Sequence, residues 1–415
     1  MKNLELYIHI PFCVKKCDYC DFLSGAYSQQ IQKEYVMALC NEIAYMGRQL
    51  SDYTVRTIFI GGGTPSWLDE DEMEQVMQQV HQCFRIDDQA EISIECNPGT
   101  VTRQKFITYR RIGINRISIG LQSANDDELQ MLGRIHTYEK FLHTYELARE
   151  CGFADINIDI MTGLPGQTLD KLHHTLQQII RLRPEHISAY ALMIEKGTPF
   201  YDRYKFDDVK QHAGMQTEFL PDEDLEYQLY KMTQHTLKEH GYLQYEISNY
   251  AREGHACLHN IGYWKRENYL GVGIGAASLI EEVRYSNMTD IYEYMERAAG
   301  LENELSLDFK RMESSTEEIT EETKKLYSPL WASEEPIDRK SAMEEFMFLG
   351  LRMNEGVTRE AFQNKFQVPI DGIYGEVTQK LKEEELLETI GGRIRLTDKG
   401  ADLSNYALAE FLLDD

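Results

Sequence analysis

Six short runs of β-forming residues, alternating with helix-like segments, predict an α/β fold: an open, partial (β/α)6 barrel of parallel strands joined by crossover helices. Two further observations extend that expectation. Glycine and polar residues cluster just after the strands, at the end of a parallel barrel where active sites are built. Residues 336–415 run helix, helix, helix and then a short hairpin at LETIGGRIRLT, the order of a small, mainly helical winged-helix-like domain.

The strands are expected at Leu4–Ile10, Thr57–Ile60, Glu91–Glu95, Arg116–Gly120, Ile156–Met161 and Ile187–Leu192, all rich in Ile and other β-formers. Between them lie helical stretches at Gln30–Gln49, Glu70–Cys83, Tyr138–Cys151 and Leu169–Arg181. Residues 1–195 therefore form the barrel core. Residues 196–300 extend it: 196–222 mix Gly, Pro, Asp, Lys and aromatics as an irregular excursion, 223–240 are helical again, and 242–290 are rich in Tyr, Asn, His and Gly. Residues 301–335, with EEITEETKK and SEEP, are highly charged and read as a connector or a solvated helix.

A chain of 415 residues has room for two or three domains, and a hydrophobic content of 42% suits a globular protein. No apolar run approaches the roughly 18 residues of a membrane span. The N-terminus, MKNLELYIHIPF, is too short and too polar for a signal peptide and reads as the first strand. The expected compartment is the cytoplasm. A net charge of −26, from 43 basic and 69 acidic side chains, opposes binding to nucleic acid and anionic lipid. The winged-helix-like segment is not basic either, so DNA binding is not expected of it.

There are eight cysteines. Cys40, Cys83, Cys96, Cys151 and Cys257 are scattered and read as small buried hydrophobes. Cys13, Cys17 and Cys20 form a C-x3-C-x2-C cluster directly after the first strand, which places them at the barrel mouth. Thiolates suit zinc and iron–sulfur clusters. Three of them leave one iron of a four-iron cluster without a protein ligand. The alternative is a zinc knuckle completed by His9 or a distant cysteine.

Other groups converge on the same end. Gly61-Gly62-Gly63-Thr64-Pro65 follows the second strand, where residues without a Cβ let a ligand approach the backbone; a plain turn is the alternative. Glu95 ends the third strand and can accept hydrogen bonds from hydroxyls, or serve as a cap. Gln122 lies just past the fourth strand and Arg134 in LGRIH. Asp159 interrupts an apolar strand, which is costly unless its carboxylate is paired. Tyr7 can wall a ligand site or pack in the core.

Together, YIHIPFC, CxxxCxxC, GGGTPS, IGLQS, LGRIH and NIDIMTGLPGQT resemble the HemN/HemW group of radical S-adenosylmethionine (SAM) proteins. The resemblance runs from Tyr7 to about Tyr190 and resumes at HNIGYW (His259–Trp264) and LTDKGADLSNYALAEFL. It implies that Cys13, Cys17 and Cys20 hold a [4Fe–4S] cluster with SAM at its open iron. It also implies that Tyr7, Gly62, Gly63, Thr64, Glu95, Gln122, Arg134 and Asp159 contact SAM. One branch of the group is a coproporphyrinogen III dehydrogenase that decarboxylates two propionates; the other, HemW, is regarded as a haem chaperone. Three features favour the chaperone branch. Phe22 stands where the dehydrogenase has a further cysteine, only twelve residues precede Cys13 where the dehydrogenase has a longer segment, and HNIGYW fits the HNxxYW pattern. The function so implied is haem binding and transfer, with no catalytic residue assigned. The alternatives are the dehydrogenase or another radical SAM reaction. The implied partners are haem, haem-acceptor proteins, an electron donor such as a flavodoxin, and a second copy in a homodimer.

HNIGYW has a chemistry of its own. The imidazole of His259 can serve as an axial haem ligand, with Cys257 as the competing thiolate. Tyr263 and Trp264 can pack on the porphyrin, and Arg252, Lys265 and Arg266 can pair with propionates. The plain alternative is that these residues are core or inter-domain packing.

Overall fold

In the computed structural model, residues 1–301 and 326–413 are described. Strands β1 (Lys2–Ile10), β2 (Tyr53–Gly62), β3 (Arg85–Cys96), β4 (Arg116–Gln122), β5 (Asp155–Thr162) and β6 (His186–Ala191) pair in parallel and in chain order. Helices α1 (Gln29–Gln49), α2 (Glu70–Cys83), α3 (Arg103–Arg111), α4 (Asp126–Met131), α5 (Tyr138–Glu150) and α6 (Leu169–Leu182) connect them. The six expected strands and four expected helices are all present. The unexpected α3 and α4 have nine and six residues, too few to show an apolar period.

Alternation along the strands builds the barrel. In LYIHI, EISIE, RISIG and INIDI every second residue is Leu or Ile, and these side chains are at most 4% exposed in one core. They face the surrounding helices. The intervening positions, such as Tyr7, Glu95, Ser118 and Asp159, point inward and give the lumen a polar lining.

The sheet continues past both barrel edges to twelve strands. On the β6 side, β7 (Leu243–Gln244) and β8 (Asn249–Ala251) add antiparallel. On the β1 side, β9 (Tyr269–Val272) is parallel to β1, and β10 (Ala277–Ile280), β11 (Val283–Asn287) and β12 (Trp331–Pro336) are added antiparallel.

Two expectations change here. The excursion at 196–222 contains a helix, α7 (Pro199–His212). Its start signal is local: Thr198 caps the Tyr201 amide and Pro199 takes the first turn, but the helix has little apolar periodicity. The next helix, α8 (Glu223–Glu239), is as expected. In the charged segment, residues 302–325 lie outside the described residues, while 331–336 form an edge strand with Trp331 stacked on Tyr285 at 3.9 Å. An edge strand tolerates the acidic residues that suggested a connector.

The C-terminal domain has the expected form. Helices Arg339–Gly350, Arg359–Phe366 and Ile370–Glu383 precede the hairpin Leu387–Ile390/Arg393–Leu396, whose turn uses Gly391 and Gly392 at positive φ. Phe362, Phe366, Tyr374 and Phe411 fill its separate core.

One buried carboxylate fastens α1 to the far edge of the sheet. Glu42 accepts from the Gly273 amide (2.7 Å), Asn287 Nδ2 (2.6 Å) and Tyr294 OH (2.6 Å). Burial lifts its carboxyl from 4.5 to about 7 although all three donors oppose the shift. A folded value above the unfolded one means that folding favours the protonated form. The stability so contributed is full below about pH 4.5 and is lost as pH rises through about 7. Glu42→Gln should therefore flatten the decline in unfolding free energy across that window. Urea denaturation at several pH values checks this, and equal slopes in both proteins would refute it.

Candidate functional site

The cysteine loop is closed at its base. The Cys13 amide donates to Gly25 O and the Gly25 amide to Pro11 O, both at 2.9 Å. The loop after β2 packs directly on it, with the Gly63 amide on Ile10 O (2.9 Å) and the Thr64 amide on Phe12 O (2.7 Å). A Cβ at residue 63 would stand 2.8 Å from Phe12 O, so the contact requires glycine. Cys13 is buried, Cys17 and Cys20 are half-buried, and all eight cysteines are free thiols.

Two of the cluster thiols accept hydrogen bonds. Thr64 Oγ1 donates to Cys13 Sγ at 3.6 Å, and Arg134 Nη1 donates to Cys17 Sγ at 3.6 Å. Among the described residues no three His, Cys, Asp or Glu side chains converge on a point fit for a single ion. His9 is already engaged, with Nδ1 facing Tyr7 OH (3.0 Å) and Nε2 facing Leu23 O (2.9 Å). A zinc knuckle needs four ligands around one ion. An iron–sulfur cluster spreads its thiolates over separate irons. The donor set fits the cluster.

An arc of hydrogen bonds joins these thiols across the mouth. Asn97 Nδ2 donates to Thr64 Oγ1 (2.9 Å), Arg134 Nη2 donates to Asn97 Oδ1 and to Gly120 O (2.8 Å for the latter), and Arg134 reaches Cys17. Arg134 Nε is buried without a partner, a donor left over for a ligand. Asn97 carries no signal in the sequence, where CNPG reads as a turn; its side chain acquires meaning only beside Thr64 and Arg134.

The other expected residues lie at the same end. The Gly62 amide donates to Glu95 Oε2 at 3.1 Å. At φ +113° Gly62 is in the left-handed region, and a Cβ there would come within 2.5 Å of the His9 ring. Burial lifts the Glu95 carboxyl to about 8, Asp159 adds to the rise, and the Gly62 amide opposes it. Asp159 accepts from Ser118 Oγ (2.8 Å) and Asn157 Nδ2 (2.7 Å); burial raises its carboxyl against these donors. Gln122 ends β4 at φ +71°, where the pairing with β5 shifts register. Tyr7 lies in the lumen, stacked on Phe59 at 6.5 Å.

The HNIGYW segment is elsewhere. It forms α9 (Leu258–Lys265), which closes the lumen at the end opposite the mouth. The Leu258 and His259 amides donate to the Glu91 carboxylate (3.1 and 3.2 Å), and Cys257 Sγ donates to it at 3.4 Å. His259 is 1% exposed. Its Nδ1 meets Thr57 Oγ1 at 2.7 Å and its Nε2 meets Tyr263 OH at 2.9 Å, while the ring stacks on Phe59 at 5.3 Å. Burial pushes its imidazole down to about 3. Gly262 lets the helix approach β1, since a Cβ there would overlap the Glu5 carboxylate. Burial, Glu267 and Glu91 in turn lift Glu5 to about 9.

The ring of His259, the expected axial haem ligand, is enclosed here with both nitrogens hydrogen-bonded. Cys257 is likewise buried. The basic pair is occupied, Lys265 with Glu355 (3.0 Å) and Arg266 with Glu282 and Glu345 (both 2.8 Å). Trp264 lies under the Arg352 guanidinium at 4.8 Å. The motif is a barrel plug and a clamp on the C-terminal domain. His259→Ala, which loses two hydrogen bonds and leaves a cavity, should destabilise the protein by about 2–4 kcal/mol. Thermal and urea unfolding measure this; unchanged stability would remove the plug role.

Comparisons with known proteins agree with this architecture. The radical SAM superfamily matches residues 7–179 and the HemN C-terminal domain matches residues 337–403. The heme chaperone HemW of Bacillus subtilis (strain 168) is 33% identical over 407 residues, 98% of each chain. That of Lactococcus lactis subsp. lactis (strain IL1403) is 33% identical over 414 residues, 100% of this chain and 98% of its own. That of Escherichia coli (strain K12) is 40% identical over 274 residues, 66% of this chain and 69% of its own. Among solved structures, the coproporphyrinogen III oxidase (HemN) from Escherichia coli, a radical SAM enzyme, has a TM-score of 0.80 at 22% identity, covering 99% of this chain and 90% of its own. At that identity the likeness establishes the fold. No helix among the described residues is long and apolar enough to cross a membrane. With relatives at 33% identity along nearly its whole length, the chain belongs to the HemW family of radical SAM proteins.

Proposed function

We propose that this protein binds haem and passes it to acceptor proteins, and that its barrel mouth holds a [4Fe–4S] cluster on Cys13, Cys17 and Cys20 with SAM at the open iron. The observation that carries the proposal is the near-complete span of the likeness to relatives named heme chaperones.

When bound, the cluster supplies an electron that can cleave the SAM sulfonium, and a flavodoxin-like donor would serve it. The chain's own residues position and shield. Thr64 and Arg134 steady the thiolates of Cys13 and Cys17. Gly62 and Gly63 let their loop pack on His9 and Phe12, which holds its backbone beside the cysteines for the methionine end of SAM. Glu95 and Asp159 are acceptors for its amino and hydroxyl groups, and Gln122 and Tyr7 border the site.

Three outcomes are expected. Cys17→Ala, reconstituted anaerobically with iron and sulfide, should lose the broad brown absorption while its far-ultraviolet circular dichroism stays unchanged. Retention of about four irons per chain would contradict the ligand assignment. Asp159→Asn should weaken SAM binding by roughly ten- to a hundredfold, as loss of a hydrogen bond to a charged group requires, with iron content intact. Equilibrium dialysis with labelled SAM measures this. Finally, the reduced, SAM-loaded protein should form no protoporphyrinogen IX from coproporphyrinogen III, and multiple turnovers would restore the dehydrogenase.

A further inference from the structure

Asn97, in the turn after β3, stands between Thr64 and Arg134, and each of these ends on a sulfur of the cysteine loop. A guanidinium has only donors, so the Asn97 atom facing Arg134 Nη2 is Oδ1, and Nδ2 must face Thr64. That orientation fixes the hydroxyl. Thr64 Oγ1 accepts from Nδ2 at 2.9 Å, so its single proton is directed away from Asn97, and the acceptor it meets is Cys13 Sγ at 3.6 Å. It fixes the guanidinium too. Arg134 Nη2 is held between Asn97 Oδ1 and Gly120 O (2.8 Å for the latter), which leaves Nη1 on Cys17 Sγ at 3.6 Å.

Asn97 is not free to turn. Its amide donates to Ser66 Oγ (3.1 Å), and its carbonyl accepts from the Thr100 amide (3.1 Å) and hydroxyl (2.8 Å). The Ser66 and Thr100 hydroxyls lie 2.6 Å apart. Behind them is Lys105, on α3, buried and in no ion pair among the described residues. Its ammonium donates to Ser66 O (2.9 Å) and Thr100 O (3.3 Å), and burial pushes it down from its usual range. A buried cation is costly without partners, and this one directs its bonds to the two residues that grip Asn97.

We propose that Asn97 is a positioning residue for the [4Fe–4S] cluster: it aims the Thr64 hydroxyl at the Cys13 sulfur and the Arg134 guanidinium at the Cys17 sulfur, and so raises the reduction potential of the cluster. The inference rests on the cluster reading above and deepens it. Hydrogen bonds and positive charge at the ligating sulfurs stabilise the more negative, reduced cluster, and the potential rises with them. Cys13 and Cys17 ligate separate irons, so one side-chain amide acts on two irons at once.

The test uses the full-length protein, reconstituted anaerobically with iron and sulfide and without SAM. The midpoint potential is read in a dye-mediated titration that follows the electron paramagnetic resonance of the reduced cluster. Asn97→Ser, uncharged and too short to reach Thr64 or Arg134, should lower the reduction equilibrium at least about tenfold, about 59 mV for one electron. Its iron content should stay at about four per chain. Thr64→Val removes the bond to Cys13 directly and should shift the potential in the same direction, whereas Thr64→Ser should keep the wild-type value. In the Asn97→Ser background Thr64→Val should add little, because the hydroxyl is no longer aimed there. Additive shifts, or an unchanged potential in Asn97→Ser, would overturn the proposal while the cluster reading stands. If the wild-type protein takes up no four-iron cluster, that reading falls and this inference with it. Should Asn97→Ser fail to fold or to load, Asn97→Asp keeps the acceptor for Arg134 and removes the donor to Thr64, and the same non-additivity with Thr64→Val decides the matter.

Discussion

A polar group removed from water must find a partner inside the protein, and the lumen of this barrel is lined with such groups. Ile and Leu at alternate strand positions bind the helices from outside. That choice commits the intervening residues to a closed interior, and the hydrogen bonds of the lumen are the solutions to this constraint. Ser118 and Asn157 satisfy Asp159, and the Gly62 amide meets Glu95. At the base, Arg116 lies between Asp155 (2.9 Å) and Glu91 (3.8 Å). His186 joins Asn157 (2.6 Å) to Tyr245 (2.9 Å).

The two ends of the lumen resolve the constraint differently. At the base, α9 supplies its own donors, so that Glu91 is met by two helix amides and a thiol. Even there, Arg116 Nη2 and Glu5 Oε2 stay buried without a partner. At the mouth the bonding is incomplete: Arg134 Nε has no partner and Glu95 has a single backbone donor. Incomplete satisfaction in a buried polar network is costly, and it persists where a ligand completes it.

The same distinction applies to the C-terminal domain. Its attachment to the barrel uses strong, buried pairs at Arg266, but α8 and the hairpin do not close on each other. Its contribution here is a wall: together with α8 it makes a cleft that neither unit possesses alone.

How much is legible in the sequence depends on the range of each signal. Strand order, the crossover helices and the hairpin domain rest on alternation, helical periods and a Gly-Gly turn, all local in sequence. The three cysteines and the Gly61–Thr64 loop are readable too, because ligand spacing and glycine are local demands. The helix α7 escapes a sequence reading because its start signal is strong and its apolar period weak. Asn97, Ser118 and Asn157 escape it because their partners are Thr64, Arg134 and Asp159, on other strands and loops. The surroundings of His259 are hidden for the same reason. An imidazole beside two aromatics and two cations describes a haem pocket and a packed plug equally well, and only the tertiary structure shows Thr57 and Tyr263 against its two nitrogens. Sequence by itself determined the elements and the candidate cluster ligands. Which polar groups are satisfied and which are left waiting depends on contacts between residues far apart in the chain, and burial alone makes that difference count.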